Sequence, residues 1–140
     1  MTPAMATEPK QWQILLVEDD DIDALVIERL LHELRPDIQV SRSVNGEESL
    51  QQAQEKRPDL ILMDIRMPLM DGREALTHLK RDPEMRDIPV VMMSTSSNDE
   101  DIGYCYRHHA NAYMVKAMGL RESRQSVENL VRFWFDTAAH

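Results

Sequence analysis

The sequence predicts an α/β domain built on a parallel sheet. Short apolar runs recur along the chain, ILLV at 14–17, LILM at 60–63 and VVMM at 90–93. Each is apolar on successive residues, the pattern of a strand buried on both faces rather than one. Between the runs lie segments whose apolar residues recur at i, i+3, i+4 and i+7, the period of a helix with one buried stripe. Strands and helices alternate through five pairs. Helices covering both faces of a parallel sheet satisfy that alternation.

The elements follow in order. Residues 13–17 form the first strand. Asp20 or Asp21 caps the helix after it, whose stripe is Ile27, Leu30, Leu31 and Leu34, and Pro36 ends it. Residues 38–42 alternate in polarity as an edge strand does, and 43–46 turn into a short helix reaching about Glu55, with Leu50 and Ala53 inward. Pro58 precedes the second buried run, which stops at Asp64. The loop MPLMDG leads into a helix with Gly72, Ala75, Leu76 and Leu79 on one face. Pro83 and Pro89 bracket the next turn, and the third buried run ends at Ser94. Residues 95–98 are cap material, and Asp99, Glu100 and Asp101 fill a first helical turn, where the helix dipole favours acids. The predicted stripe of that helix is Ile102, Cys105, Tyr106 and His109. A last strand, 112–115, ends on Lys116, and a final helix spans about 120–136 with Val127, Leu130, Val131 and Trp134 facing the sheet.

Size and composition bound the function. The 140 residues make one domain, expected over 12–136, with a mobile tail at 1–11 and a short tail at 137–140. A net charge of −9 argues against nucleic-acid or anionic-membrane partners, both polyanions. The single cysteine, Cys105, suits a reducing cytosol, and a cytoplasmic location is expected. No apolar run approaches the ~20 residues of a membrane span, and the first residues lack the apolar stretch of a secretory signal.

Chemistry concentrates where strands end. Ligands of such sheets bind beyond the carboxyl ends of the strands, where strand order reverses. Asp19, Asp64, Ser94 and Lys116 all stand at such ends. Glu18, Asp19 and Asp64 would crowd carboxylates on one edge, and a hard divalent cation relieves that repulsion. Asp64 is then a candidate phosphoryl acceptor. Asp19, Asp21 and Asp23 have the alternating spacing of a Ca²⁺ loop, but Ala24 and Leu30 stand where such a loop needs Gly and Glu. The adjacent His108 and His109 point apart on a helix and are not a ligand pair.

VEDD at 17–20, MDIRMPLMDG at 63–72, VVMMS at 90–94 and AYMVK at 112–116 together carry a family resemblance. In that order and spacing the chain resembles a response-regulator receiver domain, the phosphoacceptor half of two-component signalling, over about residues 12–136. Its VEDDDID start and aromatic end are similar to the standalone receivers paired with bacterial and cyanobacterial phytochrome kinases. The resemblance implies a flavodoxin-like (βα)5 fold, a doubly wound five-stranded sheet in the order 2-1-3-4-5.

It also implies roles. Asp64 is the phosphorylated aspartate. Asp19 ligates Mg²⁺ directly, Glu18 acts through water, and the backbone carbonyl of Arg66 completes the protein ligands. Ser94, followed by Thr95, binds the phosphoryl group, Lys116 pairs with it, and Tyr113 reports the switch. The donor is a sensor histidine kinase, phytochrome-type in the similar receivers, or a histidine phosphotransfer protein. The protein is then not an enzyme in the turnover sense, and a freestanding receiver signals through its changed surface.

Three departures and two rivals qualify the resemblance, and one departure is Arg66, a cation whose side chain could reach the phosphate rim or a partner. Ala117 stands where the family has Pro after the lysine, so the Lys116–Ala117 bond is either trans or a cis bond costing about 2.5–4 kcal/mol. A scaffold that no longer switches is the corresponding alternative. Thr95 is bulkier than the family's usual residue there. An aspartyl-phosphate hydrolase needs a second acid where Arg66 stands, and a flavodoxin-type cofactor binder needs a hydroxyl-rich loop where the chain has EDDDID. Finally, Phe133, Trp134 and Phe135 cover about 200° of a helix, more than one stripe buries. Surplus aromatic surface marks an interface, and a homodimer through the last helix is expected.

Overall fold

The computed structural model describes residues 11–95, 99–116 and 120–136. The expected caps at 96–98, residue Ala117, and the tails at 1–10 and 137–140 lie outside the described residues.

Five strands alternate with five helices. They are β1 (Trp12–Val17), α1 (Asp21–Leu34), β2 (Ile38–Ser43), α2 (Gly46–Lys56), β3 (Leu60–Asp64), α3 (Gly72–Arg81), β4 (Val90–Ser94), α4 (Asp99–Arg107), β5 (Ala112–Val115) and α5 (Leu120–Val131), followed by a π-helical turn, Arg132–Asp136. All strand pairs are parallel, in the order β2-β1-β3-β4-β5. The chain moves outward from β1 to β2, then back across β1 to β3. The carboxyl ends of β1 and β3 therefore flank the reversal point, where open α/β sheets form their crevice.

Local chemistry starts each of the first three helices. The side chains of Asp20, Asn45 and Asp71 accept hydrogen bonds from the main-chain N–H groups of Asp23, Glu48 and Glu74, satisfying donors that a helix start leaves free. Of the two caps considered for α1, Asp20 is the one used. Two apolar layers then close on the sheet. Ile14, Leu16, Leu62, Val91 and Met93 meet α1 and α5 on one face. Leu15, Val17, Ile61, Met63, Val90 and Met92 meet α2, α3 and Cys105 of α4 on the other. The alternation of neighbouring residues between two dry faces accounts for the unbroken apolar runs.

Gly72 makes the junction behind β3 tight. Its N–H donates to the Ile65 carbonyl at 2.8 Å, and a Cβ there would overlap the carbonyl oxygen of Asp64. No described helix is long and apolar enough to cross a membrane.

Two expected stripes are corrected. On α4, Cys105 is buried as expected, but Tyr106 is 51% exposed and His109 lies beyond the helix. Asp101, Tyr104 and Cys105 instead form its inner side, because α3 offers this helix polar partners beside the apolar ones. Arg73 Nη1 reaches Asp101 at 3.2 Å, and the Thr77 hydroxyl meets the Tyr104 hydroxyl at 2.8 Å. At the C-terminus, Val127, Leu130 and Val131 are buried, but the π-helical turn has wider i→i+5 spacing and rotates Phe135 rather than Trp134 fully inward. Phe135 packs edge-on against Trp12 at a centroid distance of 5.1 Å. It therefore belongs to the chain's own core and is withdrawn from the expected interface, whereas Phe133 is 62% exposed and Trp134 partly so.

Candidate functional site

The site begins with the carboxyl end of β1. The N–H of Glu18 still donates to the Ser43 carbonyl at 2.9 Å, extending the β1–β2 ladder by one residue. That bond pulls Glu18 inside, where it is fully buried, while Asp19 emerges at the surface. A buried carboxylate needs its oxygens occupied. Glu18 Oε2 accepts the Asp20 N–H at 3.1 Å, and Oε1 accepts the Lys116 ammonium at 2.6 Å.

Asp64 is the last residue of β3 and is itself buried. One ligand oxygen from each of Glu18, Asp19 and Asp64 falls in a cluster with all separations within 4.8 Å. Burial, then the negative charge of Glu18, pushes the Asp64 carboxyl up to about 7, with Asp19 adding to the rise and Lys116 opposing it. Hard oxygen donors, converging around a carboxylate that is costly to ionise alone, are the donor set a hard divalent cation prefers.

Lys116 closes the site from the other side. Its N–H donates to the Ser94 carbonyl at 2.7 Å, anchoring the end of β5 to β4. Its ammonium lies 2.6 Å from Glu18, 2.9 Å from Asp23 and 3.7 Å from Asp64. Burial works against its charge, but hydrogen bonds to Glu18 and Asp23 and the field of Asp64 outweigh that and hold it above the ordinary lysine range. Ser94 is buried at the end of β4, beside the end of β3. Tyr113 is half-buried; burial raises its phenol, while its hydrogen bond with Ser94 lowers it. Thr95 is exposed on the same rim. The side chain of Arg66 reaches Asp101 through Nη2 at 2.9 Å.

Glu18, Asp19, Asp64 and Lys116 are thus brought together, with Ser94 and Tyr113 adjoining. Phe133, Trp134 and Phe135 lie at the opposite rim, beside the start of β1. Three contributors escaped the sequence reading. Asp23 appeared only in the excluded Ca²⁺-loop spacing, yet it shares Lys116 with Glu18; its place four residues beyond Asp19 was the available signal. Arg42 straps the β1–α1 loop, donating from Nε to the Glu18 carbonyl at 2.9 Å and pairing through Nη1 with Asp21 at 2.8 Å. The third, Asp101, has partners in other elements, with no local pattern to mark it.

The response regulator receiver domain family matches residues 14–128. The Response regulator Rcp1 of Synechocystis sp. is 36% identical over 134 residues, covering 89% of this chain and 89% of its own length. The crystal structure of the phosphorylated cyanobacterial phytochrome response regulator RcpA superposes with a TM-score of 0.86 at 38% identity, covering 92% of this chain and 97% of RcpA. The Mn²⁺-bound form of Rcp1 superposes with a TM-score of 0.85 at 33% identity, covering 94% and 98%.

Proposed function

The chain belongs to the response-regulator receiver domains, and on that premise we propose that Asp64 is its phosphoryl acceptor, working with Mg²⁺. One observation carries the reading. Asp64 is buried between an acid pair and a lysine, at the sheet's reversal point. In the transfer, a carboxylate oxygen of Asp64 bonds to phosphorus, the phosphorus–nitrogen bond of a phosphohistidine breaks, and the imidazole keeps that electron pair. The product is an aspartyl phosphate. Asp19 and Asp64, with the main-chain carbonyl of Arg66, are the residues that would hold Mg²⁺, and Glu18 would act behind them. When bound, the ion supplies positive charge against the mutual repulsion of carboxylate and phosphoryl oxygens.

The protein's own groups do the rest. Lys116 offers a fixed ammonium 3.7 Å from the acceptor carboxylate, a positive charge of the protein's own for the transferring group. The hydroxyl of Ser94 offers a hydrogen bond to the phosphoryl oxygens, which means releasing Tyr113 from its present pairing. Thr95, next in the chain, shields the acyl phosphate from water. Phosphorylation adds about −1.5 to −2 charges in a small volume, and the shift of Ser94, Tyr113 and Lys116 in response is the signal.

The donor is a histidine kinase or phosphotransfer protein. The likeness to RcpA favours a phytochrome-type kinase. Exposed Phe133, with Trp134, supports a homodimer through the C-terminal aromatic end. The test is acetyl phosphate with Mg²⁺, followed by borohydride reduction and peptide mass spectrometry. A homoserine at position 64 is expected; a reduced residue elsewhere, or none, rejects Asp64 as acceptor.

A further inference from the structure

Asp101 is a buried carboxylate shared by two arginines from different elements. Its side chain is 5% exposed. Arg66, in the loop after β3, takes Oδ2 at 2.9 Å, and Arg73, on α3, takes Oδ1 at 3.2 Å. Each guanidinium holds its own oxygen, so either can leave without dislodging the other. Arg73 is further fixed, lying over the Tyr104 ring at 5.6 Å and pairing with Asp71 at 3.5 Å. Arg66 is the looser partner, with its side chain 61% exposed.

Arg66 is also close to the acceptor. It lies two residues beyond Asp64, and its field reaches the phenol of Tyr113, which is itself paired with Ser94 at the end of the neighbouring strand. Its guanidinium, held on Asp101 at the start of α4, is thus near enough to act on the Ser94–Tyr113 pair on the β4 side of β3. A guanidinium prefers a phosphoryl group over a single carboxylate, since it can donate two parallel hydrogen bonds to a dianion. If Arg66 leaves, Asp101 is still compensated by Arg73, which removes the usual cost of orphaning a buried charge.

We propose that Arg66 is a phosphoryl-binding residue held in reserve by Asp101: when Asp64 becomes phosphorylated, its guanidinium exchanges the Asp101 carboxylate for the phosphoryl oxygens and unties α4 from the β3–α3 loop. This rests on Asp64 being the acceptor and adds what regulates that site. Asp101 is then a competitor of the phosphoryl group, and Arg73 sets how strongly it competes. With Arg73 present, the negative charge of Asp101 is divided between two cations; without it, Arg66 is gripped harder.

The test is a set of binding titrations with beryllofluoride and Mg²⁺, read by ¹⁹F NMR, on the full chain. Arg66→Gln keeps the backbone carbonyl and loses only the cation. Asp101→Asn should tighten beryllofluoride binding about three- to five-fold, near the upper limit for a half-exposed ion pair. Arg66→Gln should weaken it by a similar factor, and Asp101→Asn should have no effect in the Arg66→Gln background. Arg73→Gln should weaken binding. That sign separates the exchange from mere loosening of α4, because Asp101→Asn and Arg73→Gln both remove an α3–α4 tie but are expected to shift affinity in opposite directions. Equal Asp101→Asn effects in both backgrounds, no Asp101→Asn effect in either, or the same sign for Asp101→Asn and Arg73→Gln would overturn the proposal. Binding that persists in Asp64→Asn, or no binding by the unsubstituted protein, would instead reject the acceptor itself, and the exchange with it.

Discussion

β3 ends on a residue of the site and β5 ends just before one, and the two strands are built differently. All five residues of β3 are buried, with Asp64 at the end of a strand packed on both faces. None of the four residues of β5 is fully buried, and Val115, just before Lys116, is exposed. Asp64 is placed by packing. Lys116 is placed by one backbone hydrogen bond to Ser94 and by ion pairs to Glu18, Asp23 and Asp64. The same contrast holds for the helices beside them. Apolar Ala75, Leu76 and Leu79 seat α3, whereas α4 is tied to it through Asp101, Arg73, Tyr104 and Thr77. Packing is indifferent to a new charge, and ion pairs are not. A fixed candidate acceptor beside a charge-sensitive rim is the division that a phosphorylation switch requires.

Substitutions in the two halves should separate accordingly. The largest effect is expected at Leu62, wholly buried in β3: Leu62→Ala should cost about 2–5 kcal/mol in urea unfolding. Gly72→Ala should follow at about 1–3 kcal/mol, because its Cβ meets the Asp64 carbonyl and forces the backbone to move. That variant should also weaken Mg²⁺ binding, measured by calorimetry, since the displaced residue is the proposed acceptor. At the other end of the range, Val115→Ala in β5 should change stability by less than about 0.5 kcal/mol. A Val115 effect equal to that of Leu62 would erase the contrast between the strands.

A pH series sharpens the comparison from the side of charge. With its carboxyl raised to about 7, Asp64 is substantially protonated at neutral pH in the metal-free protein. A raised carboxyl is a penalty on the ionised folded state, absent below the unfolded value of 3.8 and growing as pH rises toward 7. Metal binding requires the ionised form, so Mg²⁺ affinity should fall by up to about ten-fold for each pH unit below 7, with protons released on binding. An affinity flat between pH 5 and 7.5 would show that Asp64 is already ionised without metal.

The sequence was readable where one residue's surroundings repeat at short range. The β1, β3 and β4 runs were recognisable because both faces are apolar, and Asp64, Asp19 and Ser94 because each stands at the end of such a run; Lys116 was marked only by its place after the short β5. Asp20 was readable as a cap from position alone. The inner face of α4 was not, because its partners Arg66 and Arg73 lie 35 and 28 residues away and a buried aspartate looks like any first-turn acid. The π-helical turn was hidden for another reason. A stripe drawn at 3.6 residues per turn assigns Trp134 inward, and one widened turn gives that place to Phe135. The consequence is a smaller surplus of aromatic surface, resting on Phe133 and part of Trp134. Phe133→Glu should therefore yield a monomer by light scattering where the unsubstituted protein is a dimer; an equal mass for the two would remove the homodimer from this surface.

The most direct test of the central claim is intact-mass spectrometry of the protein incubated with acetyl phosphate, with and without Mg²⁺, alongside Asp64→Asn. The expected result is one added phosphoryl group only with Mg²⁺ and only when Asp64 is present. Modification without the metal, or modification that persists in Asp64→Asn, would contradict it.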